Sequence, residues 1–182
     1  MADNLAISPA RIWTMRGLYV CISLGVLLLE LLPLQTEPRR LAGPDLTLLL
    51  TFTFALRRPE FVPAWTIGLV ILLGDLLLHR PPGLLAGLTV LTCEALRSRS
   101  DGLRTLPFSV EWLTAALATI GTLIGYRILL AIFVIPQAPL LLSLSQVAST
   151  IVAYPVIVLG SVALFGLRRV APGEVDTLGH RI

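Results

Sequence analysis

The sequence predicts an all-α integral membrane protein, and its composition supports this fold class in two ways. Of its 182 residues, 55% are apolar and only 14% are charged, and the mean hydropathy is +0.86. A soluble domain has about 25% charged residues, which help to cover its surface. A disordered chain would combine low hydrophobicity with high charge. The composition therefore excludes both classes and favours a polytopic membrane protein.

Six apolar segments predict six transmembrane helices. A membrane-crossing helix needs about 20 mostly apolar residues, so a chain of this length has room for six spans joined by short loops. The predicted spans cover residues 17–34, 41–56, 61–78, 82–96, 108–135 and 139–167. Together they form a single membrane domain over residues 1–182, and residues 168–182 are expected to be a short cytoplasmic tail.

Two breaker motifs support the boundaries of these spans. The third and fourth spans are expected to form a tight helical hairpin, because two consecutive prolines cannot continue a helix. The second span is expected to begin near Asp45, which follows a Gly-Pro pair typical of a helix start. The hairpin turn consists of Arg80, Pro81, Pro82 and Gly83.

The basic residues, all of them arginine, predict the orientation in the membrane. In a six-span arrangement ten arginines lie near span ends on the side of the termini, and three lie on the other side. The positive-inside rule then places both termini of this multi-pass protein in the cytoplasm. Arg57 and Arg58 are expected in a cytoplasmic loop between the second and third spans.

Polar residues inside the apolar runs are candidates for a functional site. A charge at the centre of a bilayer costs about 2.5–3.5 kcal/mol, so such groups usually face protein or water. The predicted orientation gathers one set in the outer leaflet. This outer polar cluster contains Glu30, Asp45, Asp75, His79 and Arg127. It predicts either a buried ion pair that fixes helix packing, such as Asp75 with Arg127, or a polar cavity open to the periplasm.

Other polar residues predict packing contacts. Glu94 and Glu111 lie near the cytoplasmic span ends, where we expect them at the interface, paired with Arg97 or Arg104. A hydroxyl-rich stretch opens the sixth span and is typical of helix–helix contacts. Its members are Ser143, Ser145, Ser149 and Thr150.

Catalytic motifs do not support an enzyme. With only His79 and His180, no Ser/His/Asp or Cys/His set with a convincing nucleophile can be assembled, and no HExxH, Walker A or GxGxxG motif occurs. The short loops leave no room for a nucleotide site. We therefore expect a protein that is not an enzyme and needs no metal or cofactor. Nucleic-acid binding is not expected either, because the arginines form no basic face.

Four motifs lie between the second and fourth predicted spans: Arg57-Arg58-Pro59-Glu60-Phe61-Val62-Pro63, Gly74-Asp75-Leu76-Leu77-Leu78, Arg80-Pro81-Pro82-Gly83-Leu84 and Glu94-Ala95-Leu96-Arg97. In their order and spacing they resemble the MreD family of bacterial rod shape-determining proteins of the inner membrane. The tail at 168–176 resembles the alphaproteobacterial branch of that family. The resemblance covers the whole chain in length and number of spans, and it is most specific between Arg57 and Arg97.

The resemblance implies a non-enzymatic scaffold in the cell-elongation (Rod) complex, which supports lateral peptidoglycan synthesis and rod-shape maintenance. The implied direct partner is MreC. The wider assembly contains MreB, RodA and a class B penicillin-binding transpeptidase, and membrane lipids surround the chain.

The resemblance also implies a fold like that of the substrate-binding S-components of energy-coupling-factor transporters. In that fold Asp75 and the loop from Arg80 to Gly83 are the matched positions, and an outward-facing cavity is expected. One alternative function is therefore an S-component-like transporter subunit that binds a small solute or lipid. In another, the cavity binds a lipid-linked wall precursor, whose phosphate meets Arg127, Arg80 and His79.

Overall fold

The computed structural model describes residues 9–32, 41–99 and 107–165, and this part of the chain contains six α-helices and no β-strand. A short 3₁₀ helix, Pro59–Phe61, joins the second and third α-helices. The α-helices are α1 (Pro9–Leu31), α2 (Leu46–Arg57), α3 (Ala64–Leu77), α4 (Leu84–Arg97), α5 (Phe108–Ile132) and α6 (Leu140–Phe165). The all-α prediction is confirmed for the described residues, and each predicted apolar segment overlaps one helix, although α1 begins at Pro9, well before the predicted start at residue 17.

The helices fall into two length classes. Three segments are long and apolar enough to cross a membrane: Ala10–Leu31, Phe108–Ile132 and Leu140–Ala163. In contrast, α2, α3 and α4 contain 12, 14 and 14 residues. At 1.5 Å per residue they are about 18–21 Å long, which is less than the hydrocarbon core thickness of about 30 Å. The expected tail at 168–182 lies outside the described residues.

The short helix α2 forms the centre of the bundle. Its residues from Thr47 to Arg57 are all buried, because α1, α4, α5, α6 and the 3₁₀ helix all pack against it. An apolar residue on every face is typical of a fully enclosed helix. The hydroxyls of Thr51 and Thr53 donate to the carbonyls one turn earlier, at 2.7 and 2.8 Å, so these polar side chains are compatible with burial.

The hydroxyl-rich start of α6 binds the non-helical segment before α2. Ala42 N–H donates to Ser145 Oγ at 2.9 Å, and Ser149 Oγ donates to the Ala42 carbonyl at 3.2 Å. Asp45 N–H donates to Thr150 Oγ1 at 3.0 Å. The predicted helix–helix role is therefore corrected for these three hydroxyls. They satisfy backbone groups that have no helical partner and that would be costly to leave unpaired in an apolar environment.

A tryptophan on α5 compensates for a proline inside α6. Pro155 has no N–H, so the carbonyl of Ile151, four residues earlier, lacks its usual helical donor. The indole Nε1–H of Trp112 donates to this carbonyl at 2.9 Å. The hydrogen bond therefore joins the two long helices at the point where α6 loses a bond of its own.

This contact predicts a coupling between Trp112 and Pro155. Trp112→Phe should lower the free energy of unfolding in detergent by about 1–3 kcal/mol, because the Ile151 carbonyl loses its donor. In a Pro155→Ala background the new Ala N–H can donate instead, so the same substitution should have a smaller effect. Equal losses in the two backgrounds would contradict this role of the indole.

Candidate functional site: a polar cavity between α2, α5 and α6

A cavity of about 310 Å³ lies between the start of α2, the α3–α4 turn and the facing ends of α5 and α6. It is at the opposite end of the bundle from the N-terminal part of α1, where Arg16 contacts the 3₁₀ helix through the Glu60 carbonyl. Most of its wall comes from α5 between Thr119 and Leu130 and from α6 between Ser143 and Thr150. Its volume is at the lower end of the range of small-molecule sites, about 300–1,000 Å³.

The cavity wall contains some, but not all, of the outer polar cluster. Asp45, His79 and Arg127 line it, together with Arg80 of the hairpin turn and Pro81. His79 lines the cavity and is exposed, so it lies at the rim of the cavity. Its backbone has a left-handed conformation, with a φ of 55°. Glu30 and Asp75 are not among the lining residues. Exposed Glu30 instead borders a separate hollow of about 10 Å³, which it shares with Asp45 and Arg80.

Two further sets of polar residues line the wall, and the sequence analysis assigned none of them to a cavity, although it had named Ser143 and Thr150 as packing residues. On α5 they are Thr119, Thr122 and Tyr126, and on α6 they are Ser143, Gln146 and Thr150. Each set follows the spacing i, i+3, i+7, which puts all its members on one helix face. The sequence could have revealed both sets through this spacing, because polar residues repeated at the helical period in an apolar helix indicate a face that is turned away from lipid.

Arg127 extends from α5 to the start of α6. Its Nη1 donates to Ser143 Oγ at 2.8 Å and to the Ala138 carbonyl at 3.2 Å. Gln137 Nε2 in turn donates to the Arg127 carbonyl at 3.0 Å. The suggested ion pair between Arg127 and Asp75 is therefore wrong: the guanidinium binds neutral oxygens of the α5–α6 connection and α6.

Asp75 instead caps the neighbouring helix. The residue is 1% exposed, and its Oδ2 accepts from the N–H groups of Gly83 and Ala86 at 3.1 and 3.3 Å. Gly83 occupies the N-cap position of α4 with a φ of 86° and has no side chain to provide an acceptor. A carboxylate close to the free N–H groups of a helix start is favourable. Asp75 therefore holds the α3–α4 hairpin together.

Asp45 has a similar role at α2 and also neutralises Arg80. Its Oδ1 accepts from Leu48 N–H at 2.9 Å, which makes it the N-cap of α2, close to the helix start that the sequence predicted. Its Oδ2 lies 3.7 Å from Arg80 Nη1, so the hairpin turn is tied to the start of α2. Arg80 is thus already paired, whereas the sequence analysis had placed it among the possible phosphate ligands.

A buried ion pair does exist, at the other end of the bundle. Arg57 was expected in a cytoplasmic loop, but it is the last residue of α2 and is 7% exposed. Its Nε and Nη2 donate to the two carboxylate oxygens of Glu111 on α5, at 2.7 and 3.2 Å. Tyr154 of α6 donates its hydroxyl to the same carboxylate at 2.9 Å. Glu111 is 3% exposed, and its partner Arg57 is one that the sequence analysis did not propose.

Two other charged residues at this end of the bundle, Arg58 and Glu94, lie closer to their predicted positions and partners. Arg58 lies in the connection after α2 and forms a partly exposed ion pair with Glu60 at 3.3 Å. Glu94 pairs with Arg97 at 2.7 Å, which is one of the two partners that the sequence analysis expected. The other expected partner, Arg104, lies outside the described residues. Arg97 also donates to the Val62 carbonyl at 2.7 Å and so ties α4 to the 3₁₀ connection.

No protein-family model matches the chain, and no curated protein or solved structure matches it significantly. The chemistry of the site therefore has to be argued from its own residues. Within residues 9–32, 41–99 and 107–165 there is no group of three or more His, Cys, Asp or Glu side chains that could hold a metal ion. The groups available for binding are the hydrogen-bond donors and acceptors of the cavity wall.

The buried ion pair predicts a large stability difference between two glutamates. Glu111→Gln should lower the free energy of unfolding by roughly 3–5 kcal/mol, because it leaves the Arg57 guanidinium buried without its counter-charge. Glu94→Gln is the matched control, since its ion pair is partly exposed (side chains 31% and 44%) and should be worth less than about 1 kcal/mol. Similar losses for the two variants in a detergent unfolding assay would contradict the assignment.

The capping role of Asp75 predicts a graded effect of two substitutions. Asp75→Ala removes the acceptor for two N–H groups at the start of α4 and should cost about 1–2 kcal/mol of stability. Asp75→Asn keeps one carbonyl oxygen at the same position and should lose clearly less. The measurement is again unfolding in detergent, and an Asn variant no more stable than the Ala variant would argue against the cap.

Proposed function

We propose that the chain is a non-enzymatic, MreD-like scaffold subunit of the bacterial cell-elongation complex, which binds MreC and supports lateral wall synthesis. The proposal rests on the four motifs between Arg57 and Arg97. In the structure these motifs supply contacts that fix helix ends: Arg57 binds Glu111, Asp75 binds Gly83, and Arg97 binds Val62. The motifs that carry the resemblance are therefore determinants of the helical core, as expected if the resemblance reflects a shared fold.

The proposed arrangement is a six-span protein of the inner membrane with cytoplasmic termini. In support, Arg16, Arg57, Arg58 and Arg97 all lie at the end of the bundle to which the N-terminal part of α1 belongs. The short helices α2, α3 and α4 can be accommodated by local bilayer thinning and by the cavity beyond α2. The S-component-like fold remains part of the proposal.

The outer faces of the long helices would provide the scaffold surface. Large apolar side chains are exposed along all three helices, which suits contact with lipid or with the single membrane helix of a partner. They include Leu28 and Leu29 on α1, Ile124, Ile128 and Ile132 on α5, and Val152, Val156 and Leu159 on α6. With little mass outside the helices, the protein would act through this surface and its short loops.

Depletion in the native rod-shaped host tests the proposal. Cells should become round as the protein is lost, and a plasmid copy should restore rods. In parallel, a tagged copy purified from native membranes after cross-linking should recover MreC, whereas an unrelated tagged inner-membrane protein of similar abundance should not. Rods that keep their shape, together with no recovery of MreC, would overturn the scaffold role.

The cavity favours one second candidate, a subunit that binds a small solute, similar to an S-component. This function would require a cytoplasmic ATPase partner and would make the protein necessary for uptake of its solute. If depletion reduced vitamin uptake and left cell shape normal, this second function would replace the first.

A further inference from the structure

Arg127 is a cation in the cavity wall with neutral partners only. Its contacts within the described part of the chain are the Ser143 hydroxyl and the Ala138 carbonyl. The other arginine in the wall, Arg80, is close to the one carboxylate there, that of Asp45. The described wall therefore has an excess positive charge, which is located at Arg127.

Three further groups in the wall have hydrogen-bonding capacity that the described protein does not use. The Tyr126 hydroxyl, the Gln146 amide and the His79 imidazole all line the cavity and form no side-chain hydrogen bond within residues 9–32, 41–99 and 107–165. Tyr126 is adjacent to Arg127 in sequence, and Gln146 lies one turn after Ser143, which accepts from Arg127. His79 is exposed and Tyr126 and Gln146 are partly exposed, so all three remain accessible to a polar group that enters the cavity.

The start of α6 adds to the positive potential. This helix begins at Leu140, and Ser143 in its first turn lines the cavity. A helix start carries a partial positive charge that favours an anion through the helix dipole, while the N–H groups of Leu142 and Ser143 themselves donate to the Pro139 carbonyl, at 3.0 and 3.2 Å. In contrast, the start of α2 is already capped by Asp45 and contributes little.

The remaining wall is apolar and sets the character of the occupant. Leucine, valine and proline side chains complete the lining: Leu48, Pro81, Leu85, Leu123, Leu130, Pro136 and Val147. A site of about 310 Å³ that combines such a wall with one uncompensated arginine suits a small amphiphile with a single anionic group. Phosphate fits better than carboxylate, because Arg127, Tyr126, Gln146 and His79 offer more donors than two carboxylate oxygens can use.

We infer that this cavity is a binding site for a molecule that has a net negative charge on one phosphate group, which Arg127 holds with Tyr126 and Gln146 while an apolar part lies against the leucine side of the wall. The phosphate could belong to a membrane lipid or to a soluble metabolite. Binding at this site does not depend on the scaffold role, because it can be measured on the purified protein without any partner.

The test uses the full chain purified in a non-ionic detergent, with thermal stability and calorimetric titration as the two readouts. The probes are dihexanoyl phosphatidylglycerol, sn-glycerol 3-phosphate and, as a zwitterionic reference, dihexanoyl phosphatidylcholine. We expect the phosphatidylglycerol or the glycerol phosphate to bind at least about tenfold more tightly than phosphatidylcholine. Tight binding of phosphatidylglycerol alone identifies a lipid source, and comparable binding of glycerol phosphate identifies a soluble one.

Arg127→Gln should weaken the tighter interaction at least about tenfold, because it removes the charge that pairs with the phosphate. Arg127→Lys should keep most of the affinity. Arg99→Gln is the matched control, since Arg99 is an exposed arginine at the other end of the bundle and its loss should leave binding unchanged. If both anionic probes bind no better than phosphatidylcholine, or if Arg127→Gln and Arg99→Gln behave alike, the inference is wrong.

Discussion

The structure depends on one constraint: a twelve-residue helix, α2, lies buried on all sides and has a charged residue at each end. A helix leaves its first N–H groups and its last carbonyls without partners inside the helix. At the start of α2 the Asp45 carboxylate accepts from Leu48 N–H, and at its end Arg57 binds Glu111. The neighbouring helices complete both ends: Thr150 of α6 accepts from Asp45 N–H, and Glu111 of α5 neutralises Arg57, so these contacts help to fix how α5 and α6 pack against α2.

The same requirement recurs wherever the backbone departs from regular helix. The carbonyl released by Pro155 is bound by Trp112, the N–H groups at the start of α4 by Asp75, and the Ala42 backbone by two serines of α6. Each acceptor or donor comes from a different helix. In an environment with little water, unpaired backbone groups cost several kcal/mol, so these contacts decide the relative positions of the helices as well as their ends.

The two ends of the bundle consequently differ in character. One end is closed by arginines whose charges are matched by Glu111, Glu94 and the carbonyls of the 3₁₀ connection. At the other end α5 and α6, together with the start of α2 and the α3–α4 turn, line a cavity whose described wall has an excess positive charge at Arg127. A scaffold role would use the apolar outer surface, whereas ligand binding would use the cavity. The two functions therefore occupy different parts of the molecule and can coexist.

The sequence by itself determined the properties that depend on local residue patterns. Apolar runs defined six helical segments, Pro81 and Pro82 defined a turn, and Asp45 was recognised as a helix start. Asp45, His79 and Arg127 were also correctly associated with a cavity, because alternating helix directions bring them to the same level of the bundle.

Only the tertiary structure decided which polar groups meet. Arg57 and Glu111 are 54 residues apart, and their pairing depends on the rotation and depth of α2 relative to α5, which apolar composition leaves open. Asp75 illustrates the same limit at short range: the turn of the hairpin brings it to the start of α4 instead of to Arg127. Helical periodicity shows which residues share one face of a helix. Which face of a neighbouring helix packs against them depends on the tertiary structure.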